Sequence, residues 1–208
     1  MHGSVNLHSA TPDSRRRLII RHAREHFVSL GYASTRVEPI AREAGVSTAT
    51  LYALFNGKAD LFTAVIDDAA EDFARQMSSV RPVEGDARTT LTSYAEAYAA
   101  FMADPFIRSI FRLVMAERPR FQAVAMRFYE KGRNEFGATL IRAIERLARD
   151  GALRPVARPS WAAGQLLGMI EHPAFFVPLV TGDEVRMART TSQVATEAVE
   201  TFLARYGA

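Results

Sequence analysis

Apolar side chains recur at intervals of three and four along nearly the whole chain, and nowhere do they sustain the two-residue alternation of a half-buried strand. No long glycine- or proline-rich linker interrupts them. An all-α fold of about nine helices is therefore expected. Thr11 is placed to cap a first helix with Pro12 in its opening turn, Ile19, Ala23, Phe27 and Leu30 on one face and Gly31 as the stop. Thr35 and Glu38 have the spacing of a capping box for a second helix. Beyond Lys58, a helix bearing Phe62, Ile66, Ala69, Phe73 and Met77 should run to about Val80. Others should span Glu84 to Ala103, a shorter stretch opened by Pro105, and a long stretch from Pro119 to Arg149 ended by Gly151. Pro173 and Pro178 should break or kink the most apolar segment, and a helix from about Glu184 to Tyr206 should close the chain.

A chain of 208 residues can bury a substantial core in one domain, or in a small domain joined to a larger one. With no cysteine, disulfides and thiolate metal sites are excluded. The absence of an apolar run of membrane-spanning length, and of an apolar core near the N-terminus, leads us to expect a cytoplasmic protein. Charge is unevenly placed: residues 1–58 carry eight arginines and lysines against four acidic residues, whereas the other 150 carry 18 against 19. A basic end beside a neutral body fits a polyanion contact confined to that end, although a solvated helix face explains Arg15–Arg24 about as well.

The stretch REAGVSTATLYALFNGK, Arg42 to Lys58, sits in that basic end. Ile40 and Ala41 can face inward, Gly45 can adopt a left-handed turn, Val46 and Leu51 can fill the angle between two short helices, and Ser47 can cap the second. That is a helix-turn-helix, whose second helix enters the DNA major groove. Thr48, Ala49, Thr50, Tyr52 and Ala53 are left on the outer face, with hydroxyls and methyls suited to phosphates and base edges. Phe55 is assigned to packing.

From Phe27 to Phe62 the chain strongly resembles the TetR family of transcriptional repressors. The resemblance rests on a Gly-Tyr helix end, a threonine before the second helix, IAREAGVS, TLYALF and a lysine opening the fourth helix. MAERPRF ahead of a long helix is similar to the AefR-like branch. The resemblance implies a homodimer that binds a palindromic double-stranded operator through its first three helices, residues 1–57. Residues 58–208 would hold the effector site and the dimer contact. It places Thr48, Ala49, Thr50 and Tyr52 on DNA, Thr35 against phosphate at the start of the second helix, and Lys58 against phosphate at the start of the fourth. Arg36 and Ser47 complete the expected DNA contacts. A positive charge at a helix N-terminus independently suits a phosphate-binding Lys58. Many members carry a basic residue or glycine near Thr48 and Ala49, and a histidine, tyrosine or arginine near Leu54; this chain does not.

The body is rich in large adaptable side chains. Although each is individually best explained as core, together they suit a mostly apolar effector pocket, expected to draw on Tyr98, Met102, Phe106, Phe111, Met115, Phe128, Tyr129, Trp161, Gln165, Met169 and His172. Small and apolar residues of the last two helices, Ala163, Leu167, Ile170, Val194, Ala198 and Phe202, are expected at the dimer interface. His22 and His26, four apart, lack a third metal ligand, and Glu171–His172 lacks a nucleophile or oxyanion-binding group. No metal, cofactor or catalysis is expected. The expected function is ligand-responsive repression, relieved by a hydrophobic or aromatic small molecule. The alternatives are a helical lipid or small-molecule carrier or an enzyme with an incidental helix-turn-helix, and an architectural DNA-binding protein without an effector.

Overall fold

Thr11 starts the first helix by accepting a hydrogen bond from the Ser14 amide at 3.3 Å, and Pro12 occupies the first turn, where its missing N–H leaves no bond unmade. In the computed structural model this helix, α1 (Pro12–Ser34), is interrupted at Gly31, whose φ of 72° and ψ of 172° are not helical. The structure describes residues 11–78, 86–182, 184–185 and 187–208, apart from the side chains of Glu135 and Phe136. The expected helix limits at Val80 and Glu84 fall outside the described residues.

The remaining helices are α2 (Val37–Glu43), α3 (Thr48–Leu54), α4 (Lys58–Ser78), α5 (Ala87–Met102), α6 (Pro105–Glu117), α7 (Gln122–Gly132), α8 (Ala138–Arg149), α9 (Pro159–Glu171), α10 (Val177–Thr181) and α11 (Thr191–Tyr206). Among the described residues the only β-type pairing is an isolated bridge between Leu153 and Gly207. No helix there is long and apolar enough to cross a membrane. Two π-turns, Arg133–Gly137 and His172–Phe176, join α7 to α8 and α9 to α10 through helical backbone angles. The second resolves the expected break at Pro173: the proline removes one amide donor, and an i→i+5 bond from the Val177 amide to the His172 carbonyl carries the helix past it. The last helix begins at Thr191, not Glu184, because Thr190 and Gln193 form a reciprocal capping box there; Val185, expected on its apolar face, is exposed.

The chain divides into two compact units, Met1–Ala69 with Leu113–Phe128, and Ala70–Arg112 with Tyr129–Ala208. The first is built on Ile19, Ala23, Phe27, Ile40, Leu51, Leu61, Phe62 and Val65, all buried. Its rings form one cluster: Phe62 meets Phe121 at 4.5 Å and Phe27 at 5.2 Å, while Tyr32 meets Phe121 edge-on at 4.9 Å. In the second, α5 packs against α8, α9 and α11. Ala95 and Ala99 of α5 and Ala195 and Ala198 of α11 are buried, small side chains that suit the close approach of packed helices. Leu91, Tyr94, Leu140, Ile144, Leu166, Ile170 and Phe202 fill the rest of that core.

Phe202 is 2% exposed and packs on the Tyr206 ring at 4.7 Å. Phe202→Ala should destabilise the protein by about 3–5 kcal/mol, read as a lower urea midpoint.

Candidate nucleic-acid interface

The turn between α2 and α3 forms as the residue types demand. Gly45 takes φ 66°, a left-handed value that costs glycine little, and the amides of Ala44, Gly45 and Val46 donate to the carbonyls of Ile40, Arg42 and Ala41 at 2.9, 3.1 and 2.9 Å. Ser47 caps α3 by accepting from the Thr50 amide at 3.0 Å, and its hydroxyl lies 2.9 Å from that of Thr50. Ile40, Ala41 and Leu51 are fully buried at the crossing. Thr48, Ala49, Tyr52 and Ala53 are exposed, with Tyr52 50% accessible, and Thr50 is half-buried. Phe55 is buried with the Arg16 guanidinium 5.1 Å from its ring centroid, so one member of the Arg15–Arg17 run packs onto the recognition unit.

Two side chains expected to meet phosphate turn inward in this structure. Thr35 is only 1% exposed, and its hydroxyl donates inward to the carbonyls of Gly31 at 2.6 Å and His26 at 3.2 Å. The N-cap of α2 is Arg36, with no side-chain cap, so the Thr35–Glu38 box does not form: the break at Gly31 leaves α1 carbonyls that take the Thr35 proton first. Lys58 places its ammonium on the carbonyls of Tyr32, Ala33 and Thr35 at 2.8, 3.1 and 2.9 Å, and 4.6 Å from the Tyr32 ring centroid. An ammonium has three N–H donors, and this clamp engages all three. Nor does Asn56 cap α4 with its side chain as its position suggests. Its backbone amide instead donates to Asp60 at 2.9 Å.

Sequence reasoning also missed a link between α1 and α2. Half-buried His26 lies 2.9 Å from the Glu43 carboxylate, and His22 lies 3.9 Å from the same oxygen. The signal was a glutamate at the end of α2, read only as surface charge. The His26 hydrogen bond holds the Glu43 carboxyl below its ordinary value of 4.5. Among the described residues no histidine–carboxylate cluster could hold a metal.

In the second unit the expected pocket residues separate. Tyr98 and Met102 are buried, and Phe111 and Met169 are partly so. Tyr98 donates its phenol proton to Glu171, and burial, reinforced by that carboxylate, pushes the phenol well above its ordinary range. Phe106, Tyr129, Trp161, Gln165 and His172 are instead exposed, and Met115, also exposed, and buried Phe128 belong to the first unit. Size and apolar character could not separate the inner face of a helix from its outer one. The dimer residues need the same correction. Ala163, Ile170, Val194, Ala198 and Phe202 are buried within this chain's own core and Leu167 is half-buried. The exposed stripe of α9 and α10 is Trp161, Gly164, Gly168, His172, Phe176 and Val180, beside a groove of about 450 Å³ lined in part by Met169, Val177, Met187 and Glu197.

Residues 19–65 match the model of bacterial regulatory proteins of the tetR family, and residues 89–208, more than half the chain, match the C-terminal domain of AefR-like transcriptional repressors. The chain belongs to the TetR family. Among solved structures, a TetR-family transcriptional regulator from Mesorhizobium loti is 27% identical with a TM-score of 0.83, covering 96% of this chain and 100% of that one. The flavonoid-responsive regulator FrrA is also 27% identical, with a TM-score of 0.72 over 93% of this chain and 97% of its own. The transcriptional activator FasR of Mycolicibacterium smegmatis is 31% identical over 90 residues, 43% of this TetR-family chain and 41% of that protein.

Lys58→Met should cost about 1.5–3 kcal/mol in thermal or urea unfolding through the lost charged hydrogen bonds, and should leave the log–log salt slope of DNA binding unchanged. Because the Glu43 pKa is depressed, its stabilisation is complete above 4.5 and disappears as pH falls through the lower folded-state value. Melting curves of wild type and Glu43→Gln should therefore differ at neutral pH and converge in acid.

Proposed function

We propose that this TetR-family chain is a ligand-responsive transcriptional regulator. As a homodimer it would bind a palindromic operator and be released from it by a small molecule with an apolar or aromatic body. The observation that carries the reading is the outer face of α3. Thr48, Ala49, Thr50 and Tyr52 project hydroxyls and methyls from a helix fixed by buried Leu51 and the Gly45 turn. Arg36 and Ser47 flank that face, while Lys58 and Thr35 act behind it by holding the end of α1. Residues 1–57 form the DNA-reading part and 58–208 the effector and dimer part. Such a protein would work in the cytoplasm and carry no catalytic group.

Two recognition helices must stand about 34–36 Å apart to enter successive major grooves, so a ligand favouring another separation weakens DNA binding, and DNA weakens the ligand equally. Helix α4, running from the clamp at Lys58 into the second unit, is the lever in this reading. The exposed apolar stripe from Trp161 to Val180 is the dimer face, replacing the buried positions. An aromatic effector is supported by the name of FrrA, a flavonoid-responsive relative. The name of FasR, an activator, favours a second reading in which DNA binding switches genes on.

Selection from random DNA by purified protein should yield an inverted repeat; a pool without a preferred sequence would leave the carrier, enzyme or architectural reading standing. Thr50→Ala should relax base preference at defined positions without altering the salt slope. Arg36→Ala should weaken all sequences alike and flatten the slope by about 0.9.

A further inference from the structure

The turn from α6 into α7 brings a second cation to the ring that Lys58 covers. Glu117 ends α6, and its carbonyl accepts the amides of Arg120 and Phe121 at 3.0 and 2.9 Å, which fixes the turn through Arg118 and Pro119. Phe121 is thereby held against Tyr32 and Phe62, and the guanidinium of Arg120, an exposed residue, stands 5.0 Å from the Tyr32 ring centroid. The Lys58 ammonium lies 4.6 Å from the same centroid, so the two cations are within about 10 Å of each other, one Debye length at about 0.1 M salt. Lys58 also reaches the Thr35 carbonyl at 2.9 Å, and the next residue, Arg36, is exposed at the N-cap of α2.

The surroundings supply no counter-charge. Elsewhere in this unit arginines are matched by acids, Arg24 with Asp68 and Arg127 with Asp67. Among the described residues no carboxylate pairs with Lys58, Arg36, Arg118 or Arg120, although Glu38 and Glu117 stand close to them in sequence. An unrestrained arginine can swing away from a neighbouring cation, but the Glu117 turn and the Tyr32 ring hold this one within reach of Lys58. The ring orders the guanidinium, and no acceptor among the described residues takes its N–H donors. Cations gathered in this way create a positive potential that a polyanion relieves.

We infer that Arg120 binds the phosphate backbone of duplex DNA, beside the contact proposed for Arg36. A guanidinium fork suits the assignment because it can grip two phosphate oxygens at once, and the contact adds affinity without reading bases. The inference rests on α3 as the DNA-reading helix and goes beyond it. Arg120 lies in the part of the chain that matches the AefR-like C-terminal domain, outside residues 1–57, so operator binding draws on the α6–α7 turn as well as on the first three helices.

The test uses the full-length protein, its Arg120→Met and Arg120→Lys variants, and two duplexes, the inverted repeat selected from random DNA and an unrelated sequence. Fluorescence anisotropy titrations between about 50 and 200 mM salt give the log–log slope for each. Arg120→Met should flatten the slope by about 0.9 per subunit, weaken both duplexes by the same factor and leave the selected sequence unchanged. Arg120→Lys, which keeps the charge, should retain most of the slope. An unchanged slope in Arg120→Met overturns the inference, even if affinity drops, because a ring contact that merely stabilises the fold releases no counterions. A slope as flat in Arg120→Lys as in Arg120→Met overturns it too, since the effect would then not follow charge. Should wild type select an inverted repeat while either of these results is found, the regulator reading stands and this inference alone falls; a wild type that binds neither duplex removes both.

Discussion

The ammonium of Lys58 on three backbone carbonyls is the contact around which the DNA-reading part is arranged. The break at Gly31 frees carbonyls at the end of α1 that no later turn of the helix can satisfy. Lys58 takes those of Tyr32, Ala33 and Thr35, and the Thr35 hydroxyl takes those of Gly31 and His26. One side chain at the start of α4 thus fixes where α1 ends and where the chain into α2 begins. The Lys58 ammonium lies 4.6 Å and the Arg120 guanidinium 5.0 Å from the Tyr32 ring centroid, and Phe62 and Phe121 each make an edge-to-face contact with that ring. The end of α1, the start of α4 and the turn before α7 therefore share one packed junction in the first unit.

That junction shows what the sequence could and could not reveal. The helices were legible because each carries its own spacing and punctuation: Thr11 before Pro12, Gly45 between two short apolar segments, and Ser47 three residues before Thr50. The outer face of α3 followed by elimination once Leu51 was assigned inward. Partners distant in sequence were not legible. The acceptors of Lys58 are 23 to 26 residues earlier, and nothing local distinguishes a lysine aimed at carbonyls from one aimed at phosphate.

The second unit repeats the lesson at the level of faces. Its helices are apolar on more than one side, so periodicity alone could not tell which side meets the neighbours in the same chain. Ala163, Ile170 and Phe202 turned out to be core, whereas Trp161 and Phe176 are exposed.

The π-turn at His172–Phe176 has a geometric effect on the stripe that crosses it. Gly164, Gly168, His172, Phe176 and Val180 are each four residues apart, a spacing that drifts by about 40° per step around a straight α-helix. A π-turn winds less per residue, so it retards the drift at the point where the line would otherwise slide sideways. The segment acts as a phase corrector: it takes up an extra residue, so that regular α winding over the same residues would carry Phe176 and Val180 further around from the meridian set by Gly164 and Gly168.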